Sequence, residues 1–293
     1  IKTVEVKRSL LKVSQLHPCF GVEAHNKFGR LHLPVSPACN IQCRFCSRSI
    51  NANEVRPGVT AKILRPDQAV ETVRKALALC PDITVVGVAG PGDTLATDAA
   101  IEAFRVVHKA YPHLMKCLST NGLRLPERAR ELAGVGVKTV TVTVNAVDPY
   151  IVDEVVSYIV FEGRKITGPA MGEILTAKQL EGIRKASELG ATVKVNTVLV
   201  PGINDGHIED IARAVSEAGA QIYNIIPLIP QHELAHIEEP DCDMLQKARE
   251  DGEKYLEVFR HCKHCRADAC GIPGLSDFSR ELYGGQMETF SHG

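Results

Sequence analysis

Cys39-Asn-Ile-Gln-Cys43-Arg-Phe-Cys46 puts three thiols within eight residues, at C-x3-C-x2-C spacing. The run just before it, Leu31-His-Leu-Pro-Val-Ser36, reads as a strand. A loop that leaves a strand can aim three thiolates at one point. Soft sulfur ligands suit iron–sulfur clusters and zinc. A structural zinc site would want a fourth ligand of its own nearby. Three thiolates on a four-iron cluster leave one iron without a protein ligand, and that iron can bind a substrate. The bland alternatives are a zinc knob or buried free thiols, and the spacing favours the cluster.

Around this stretch lie 293 residues, enough for one large α/β domain or two small ones, and 44% of them are hydrophobic. A net charge of −1 provides no field that would recruit nucleic acid or an acidic membrane. Residues Ile1 to Leu10 lack the apolar core of a signal peptide. No apolar run approaches the roughly 20 residues of a membrane span. The longest, Ile83-Thr-Val-Val-Gly-Val-Ala89, reads as a strand. A cytoplasmic protein with neither a nucleic-acid nor a membrane partner is expected. Ten cysteines are then expected to be metal ligands rather than disulfides. Cys262, Cys265 and Cys270 form a second group, with His261 and His264 beside the first two, while Cys19 and Cys117 stand alone. Cys80, before Pro81, and Cys242, near a helix start, read as ordinary residues.

Along the chain, residues 1–30 read as an arm with little regular structure. Residues 51–58 are rich in turn formers. Asp67 caps an amphipathic helix that runs to about residue 79. Strands are expected at 83–89, 115–119, 137–144, 192–199 and 221–228. Helices are expected at 97–110, 126–133, 206–218 and 243–260, and residues 149–189 read as helix, loop and helix. Counting the strand before the cysteines, this gives six strands joined by five helical crossovers. Their Val/Ile runs suit a parallel sheet covered by helices, in an α/β fold of one domain: arm 1–30, barrel 31–240 and tail 241–293. Ligand residues in such sheets gather at the C-terminal strand ends. Gly90-Pro-Gly-Asp93, Ser119-Thr-Asn-Gly122, Asn145 and Val200-Pro-Gly-Ile-Asn-Asp205 lie there.

A cysteine loop after the first strand of a six-stranded, half-closed barrel resembles the radical S-adenosylmethionine superfamily. The resemblance implies a partial (β/α)6 TIM-like barrel. It also implies that Cys39, Cys43 and Cys46 hold a 4Fe-4S cluster whose open iron chelates the methionyl amine and carboxylate of S-adenosylmethionine. An electron passed to the sulfonium would release a 5′-deoxyadenosyl radical. Gly90-Pro-Gly-Asp93 occupies the place of the superfamily's Gly-Gly-Glu element, and so assigns Gly90 and Asp93 to the methionyl amine. Ser119, Thr120, Asn121, Asn145 and Asn196 stand where members contact the carboxylate and ribose.

A wider set resembles the NifB family, maturases that build the carbide-centred precursor of the nitrogenase cofactor. It comprises His17-Pro-Cys-Phe20, His25-Asn-Lys-Phe-Gly-Arg-Leu-His-Leu-Pro34, Cys39-Asn-Ile-Gln-Cys43, Glu54-Val-Arg-Pro-Gly-Val59, Gly90-Pro-Gly-Asp93, Val200-Pro-Gly-Ile-Asn-Asp205 and Cys262-Lys-His-Cys-Arg-Ala-Asp268. This likeness implies two further 4Fe-4S substrate clusters. One S-adenosylmethionine would give its methyl group to them, and a second would yield the radical that draws hydrogen from that carbon. Cys262 and Cys265, with His32 as a nitrogen ligand, would hold one unit. Cys19 and Cys117, with His25, would hold the other. Glu54 would guard the open iron.

Each residue has a plainer reading. Cys262 and Cys265 could be a zinc knuckle or redox pair, His32 a core histidine, Cys117 a buried free thiol and Glu54 a solvated carboxylate. The family commonly has cysteine where Ala52 stands, and an apolar residue where Cys270 stands, so Cys270 is an added ligand or an idle thiol. Many members carry a C-terminal extension that holds the finished cluster. With Gly293 as the last residue, a product-accepting carrier or scaffold protein is expected as a partner. A reduced ferredoxin or flavodoxin-type electron donor and an iron–sulfur cluster donor are expected as well. The competing functions are a radical enzyme acting on a small molecule or peptide with auxiliary electron-transfer clusters, and a non-catalytic iron–sulfur carrier.

Overall fold

The computed structural model describes residues 10–263 and 265–284; His264 lies outside them. Six strands form its centre: β1 (Gly29–His32), β2 (Ile83–Val88), β3 (Met115–Thr120), β4 (Val137–Thr143), β5 (Thr192–Leu199) and β6 (Ile222–Pro227). They lie side by side in chain order, and every neighbouring pair is parallel. The crossovers carry α1 (Ala69–Leu79), α2 (Ala99–Ala110), α3 (Leu125–Gly134), α4 (Pro149–Val155), α5 (Gly168–Glu188) and α6 (Ile208–Glu217). Strands in chain order with a helix in each return curl towards a barrel. Among the described residues the sheet edges do not meet. Glu257–Val258 extends the sheet beyond β6, and Cys270–Gly271 pairs antiparallel with β1. The fold is the expected partial barrel.

Alternation along the strands separates two faces. Val140, Val142, Val193 and Val195 join Phe104, Leu132 and Ile211 in the core between sheet and helices. The other face carries Cys117, Thr141, Thr143, Lys194, Asn196 and Asn224, which look into a cavity. In register, Thr143 faces Asn196, and Asn196 faces Asn224. Polar side chains are thus interspersed with apolar ones on the inside of the barrel.

Four boundaries differ from expectation. Between α4 and α5 runs a β-hairpin, Val156–Phe161 with Arg164–Ile166. Its turn residues Glu162 and Gly163 have φ of 50° and 74°, the left-handed pair that suits a tight hairpin. The arm is not structureless: residues 10–16 are helical, and Val13 and Phe20 pack against Ile222 and Phe259. The first strand ends at His32, earlier than expected. The final long helix, α7 (Cys242–Glu253), stops well before residue 260, because Glu257–Val258 pairs with β6 instead.

Candidate iron–sulfur and S-adenosylmethionine site

The unexpected hairpin holds the cysteine loop. Ile41–Cys43 forms a short strand antiparallel to Val156–Phe161, with Ile41 opposite Ile159 and Gln42 opposite Tyr158. Val160 N–H donates to Asn40 O at 2.7 Å, and Arg44 N–H to Val155 O at 2.8 Å. Gln42 Nε2 donates to the carbonyls of Cys43 and Cys46, at 2.9 and 3.1 Å. Beneath lies a separate apolar cluster of Ile41, Leu123, Val152, Ile159, Met171 and Leu175. The loop is thus a clamped structural unit.

Burial pushes the thiols of Cys39, Cys43 and Cys46 upward. Cys43 is pushed furthest, because Cys46 and Cys39 add like charge to the cost of burial. As thiolates, these half-buried groups would repel one another, and cations between them would relieve the repulsion. Among the described residues no three His, Cys, Asp or Glu side chains converge closely enough to share one ion. Cys39, Cys43 and Cys46 line one cavity, and three soft thiolate donors there fit a four-iron cluster with one iron left open.

Gly90-Pro-Gly-Asp93 packs directly on the backbone that enters this loop. Gly92 N–H donates to Ser36 O at 2.7 Å, and Asp93 N–H to Ala38 O at 2.8 Å. A Cβ on Gly92 would lie 2.0 Å from Ala38 O, so only glycine permits this approach. The Asp93 carboxylate, 5% exposed, accepts from Leu95 N–H at 2.9 Å, Thr120 Oγ1 at 2.9 Å and Asn121 N–H at 2.6 Å. Burial raises its pKa while these donors oppose the rise. Asn121 Nδ2 donates to Asn40 Oδ1 at 2.7 Å. Asn145 Oδ1 accepts from Val198 N–H, and Asn196 Oδ1 from Asn224 Nδ2. The Asp93, Thr120 and Asn121 bonds join the ends of β2 and β3 to Asn40, the residue beside Cys39, while the Asn145 and Asn196 bonds are separate pairs on β4 to β6.

A single cavity of about 380 Å³ runs from this network down the barrel. Seven of the ten cysteines form its wall: Cys39, Cys43 and Cys46 at one side, and Cys19, Cys117, Cys262 and Cys265 at the other. Asp93, Ser119, Thr120, Asn121, Asn145, Asn196 and His32 line it too. Burial raises the Cys19 and Cys117 thiols, and Lys194 opposes this in both.

His32 Nδ1 meets Arg266 O at 3.1 Å. Facing a carbonyl it donates, which leaves Nε2 with the lone pair. Burial and the Arg30 charge lower its pKa to about 4, so the ring is neutral. A Cβ on Gly87 would lie 3.3 Å from His32 Cδ2 and 3.7 Å from Cys117 Cβ. His32 and Cys117 therefore flank Gly87 on the cavity side of the sheet.

Other expected residues lie apart from the cavity wall. Gly90, at φ 112°, shapes the loop without lining the cavity. Glu54 is exposed, bonded to Arg56 and Asn51. His25 Nδ1 is bound to Pro18 O at 2.8 Å, and its ring lies against Phe259 and His261. Cys270 pairs with Leu31, is fully buried in the helix-side core and sits near Cys80. Its strand position turns it to the apolar face, the place of an idle thiol.

Three polar residues were not singled out by sequence. Arg30 donates to Gly271 O at 2.6 Å and to Cys265 Sγ at 3.2 Å. Lys194 Nζ donates to Cys19 O at 2.8 Å and lies over the Phe20 ring. Arg266 forms a two-pronged pair with Asp268, 9% and 1% exposed, at 2.8 and 2.9 Å. It also donates to the carbonyls of Asn51 and Glu54. Charges set among apolar strand residues, as in Gly29-Arg-Leu-His and Val193-Lys-Val, were the available signal.

Residues 33–215 match the family model of the radical SAM superfamily. The chain is 45% identical over 290 residues to the FeMo cofactor biosynthesis protein NifB of Methanocaldococcus jannaschii, covering 96% of each. It is 42% identical to NifB of Klebsiella pneumoniae over 88% of this chain and 57% of that one. Among solved structures it is similar to Streptococcus suis SuiB, with a TM-score of 0.58 at 14% identity over 88% of this chain. A radical SAM methyltransferase from Sphaerobacter thermophilus gives 0.53 at 19% identity, over 79% of this chain and 64% of that one. These two share the fold, and the chain spans about half (54%) of SuiB's length. With the superfamily match over most of the barrel and near-complete coverage of the archaeal relative, the chain belongs to the radical SAM superfamily and, within it, to the NifB family of FeMo cofactor biosynthesis proteins.

Proposed function

We propose that this chain fuses two 4Fe-4S units into the carbide-centred eight-iron precursor of the nitrogenase cofactor. One S-adenosylmethionine gives the methyl carbon, and a second gives the radical that removes hydrogen from it. The observation that carries this reading is the wall of seven cysteines around one cavity, more thiols than one cluster needs.

Cys39, Cys43 and Cys46 hold the radical cluster, which when bound supplies the electron that splits S-adenosylmethionine. Asp93 receives the methionyl ammonium. A carboxylate has about four lone-pair sites, and its three donors leave room for one more. Ser119, Asn145 and Asn196 orient the rest of the molecule. Cys19 and Cys117 hold one substrate unit, with His32 Nε2, across Gly87 from Cys117 in the same cavity wall, as the nitrogen ligand. Cys262 and Cys265 hold the other, with Arg30 donating to the Cys265 sulfur. His25 stays outside this ligand set. A reduced ferredoxin or flavodoxin-type protein would deliver electrons, a cluster donor the iron, and a carrier would accept the product.

S-adenosylmethionine labelled in its methyl group, supplied with reductant, is expected to leave label in a protein-bound cluster. Reconstituted chains are expected to hold about twelve irons, three four-iron units. Saturation at four irons would sink the reading. Label found only in a small molecule or peptide would favour the auxiliary-cluster alternative.

A further inference from the structure

His17 stands two residues before Cys19 and forms part of the same cavity wall. Its side chain is 2% exposed, and its ring lies against Phe20 with centroids 4.4 Å apart. Nδ1 accepts the backbone N–H of Cys19 at 3.1 Å. A ring nitrogen that accepts carries a lone pair, so the proton of this imidazole is on Nε2. Nε2 is buried and finds no partner among the described residues. Buried donors are almost always paired, and an orphan in a cavity wall marks where a ligand completes the bond. His32 is the opposite case: its Nδ1 donates to Arg266 O, and its Nε2 keeps the lone pair. Two imidazoles thus face one cavity, one able to bind iron and the other only to donate.

We propose that His17 donates a hydrogen bond from Nε2–H to a sulfur of the iron–sulfur unit held by Cys19 and Cys117. It is a substrate-binding donor, not a metal ligand. The inference rests on the function proposed above. Its chemical consequence is direct. A hydrogen bond to a cluster sulfur offsets the charge gained on reduction, and so raises the unit's reduction potential.

Two amide variants divide the ring's two contacts. In His17→Asn the side-chain oxygen can take the place of Nδ1 as acceptor, and the far donor is lost. In His17→Gln the amide N–H reaches the place of Nε2, and the near acceptor is lost. Each is compared with the parent in a full-length Cys39→Ala, Cys43→Ala, Cys46→Ala background, where only substrate units report. After anaerobic loading, iron is counted and the reduction potential is read by EPR-monitored titration. The expected result is a more negative potential in His17→Asn and a nearly unchanged one in His17→Gln. The inference is overturned if His17→Asn leaves the potential in place, or if His17→Gln moves it as far. If His17→Asn fails to fold, judged by melting of the iron-free chain, His17→Phe takes its place with the same expected shift. A parent that takes up no iron overturns the proposed function itself. A loaded parent with unmoved variants overturns only the role of His17.

Discussion

The two sides of the cavity are assembled in opposite ways. On the radical side, the three cysteines lie within eight residues, and a hairpin clamps them from outside. On the substrate side, Cys19, Cys117 and the Cys262–Cys265 pair come from three distant parts of the chain. Arg30 reaches Cys265 across 235 residues of sequence, and Arg266 ties the tail to residues 51–54. Under the proposed function, the cofactor that stays would be served by a locally clamped loop, and the cargo that enters and leaves by segments closed through a few long-range contacts.

Cys46→Ala should break the radical side alone and gives the largest effect. Formation of 5′-deoxyadenosine should vanish, while iron remains at the other sites. Persistent product would mean that the radical cluster sits elsewhere. Arg266→Ala should break the substrate side. It leaves Asp268 buried without its partner, a loss of about 3–5 kcal/mol for such pairs. Melting should fall, and iron bound through Cys262 and Cys265 should fall with it, while the cysteine loop keeps its cluster. Equal iron loss from both sides would erase the distinction between them.

A smaller, graded effect comes from pH. Burial holds the cavity thiols above their ordinary value. A raised folded-state pKa stabilises the fold below the unfolded value, and that contribution is lost as pH rises through the folded one. Melting of the iron-free chain should therefore decline above a pH of about 8.5, the ordinary thiol pKa. Iron uptake releases those same protons and should improve over that range. A melting temperature flat from neutral to alkaline pH would contradict the burial of these thiols.

Much of this was legible in sequence because it is local. The cysteine spacing, six strands and five crossovers follow from short-range patterns, and β5 spans the expected residues 192–199. The hairpin was legible too, since Val156-Ser-Tyr-Ile-Val-Phe161 is rich in β-branched and aromatic residues before Glu162-Gly163. Gly163 and Gly168, both suggestive of a loop between helices, mask that signal. In β4, Val137-Lys-Thr-Val-Thr-Val-Thr143 alternates between apolar and hydroxyl residues. That alternation marks one face turned to a polar interior, which a reading of continuous Val/Ile runs misses. The placements of His25 and His32 were not legible. They precede Cys39 by 14 and 7 residues, and only tertiary packing sets His32 across Gly87 from Cys117 and His25 against Phe259.

Translation meets the two sides of the cavity at different times. β1 gains its antiparallel neighbour only when Gly271 arrives, 241 residues after Arg30. At about 5–20 residues per second, that takes from roughly ten seconds to most of a minute. In the later part of that interval, once Val156–Phe161 has arrived to clamp it, a growing chain can offer incoming iron the cysteine loop, while the seat shared by Arg30 and Cys265 does not yet exist.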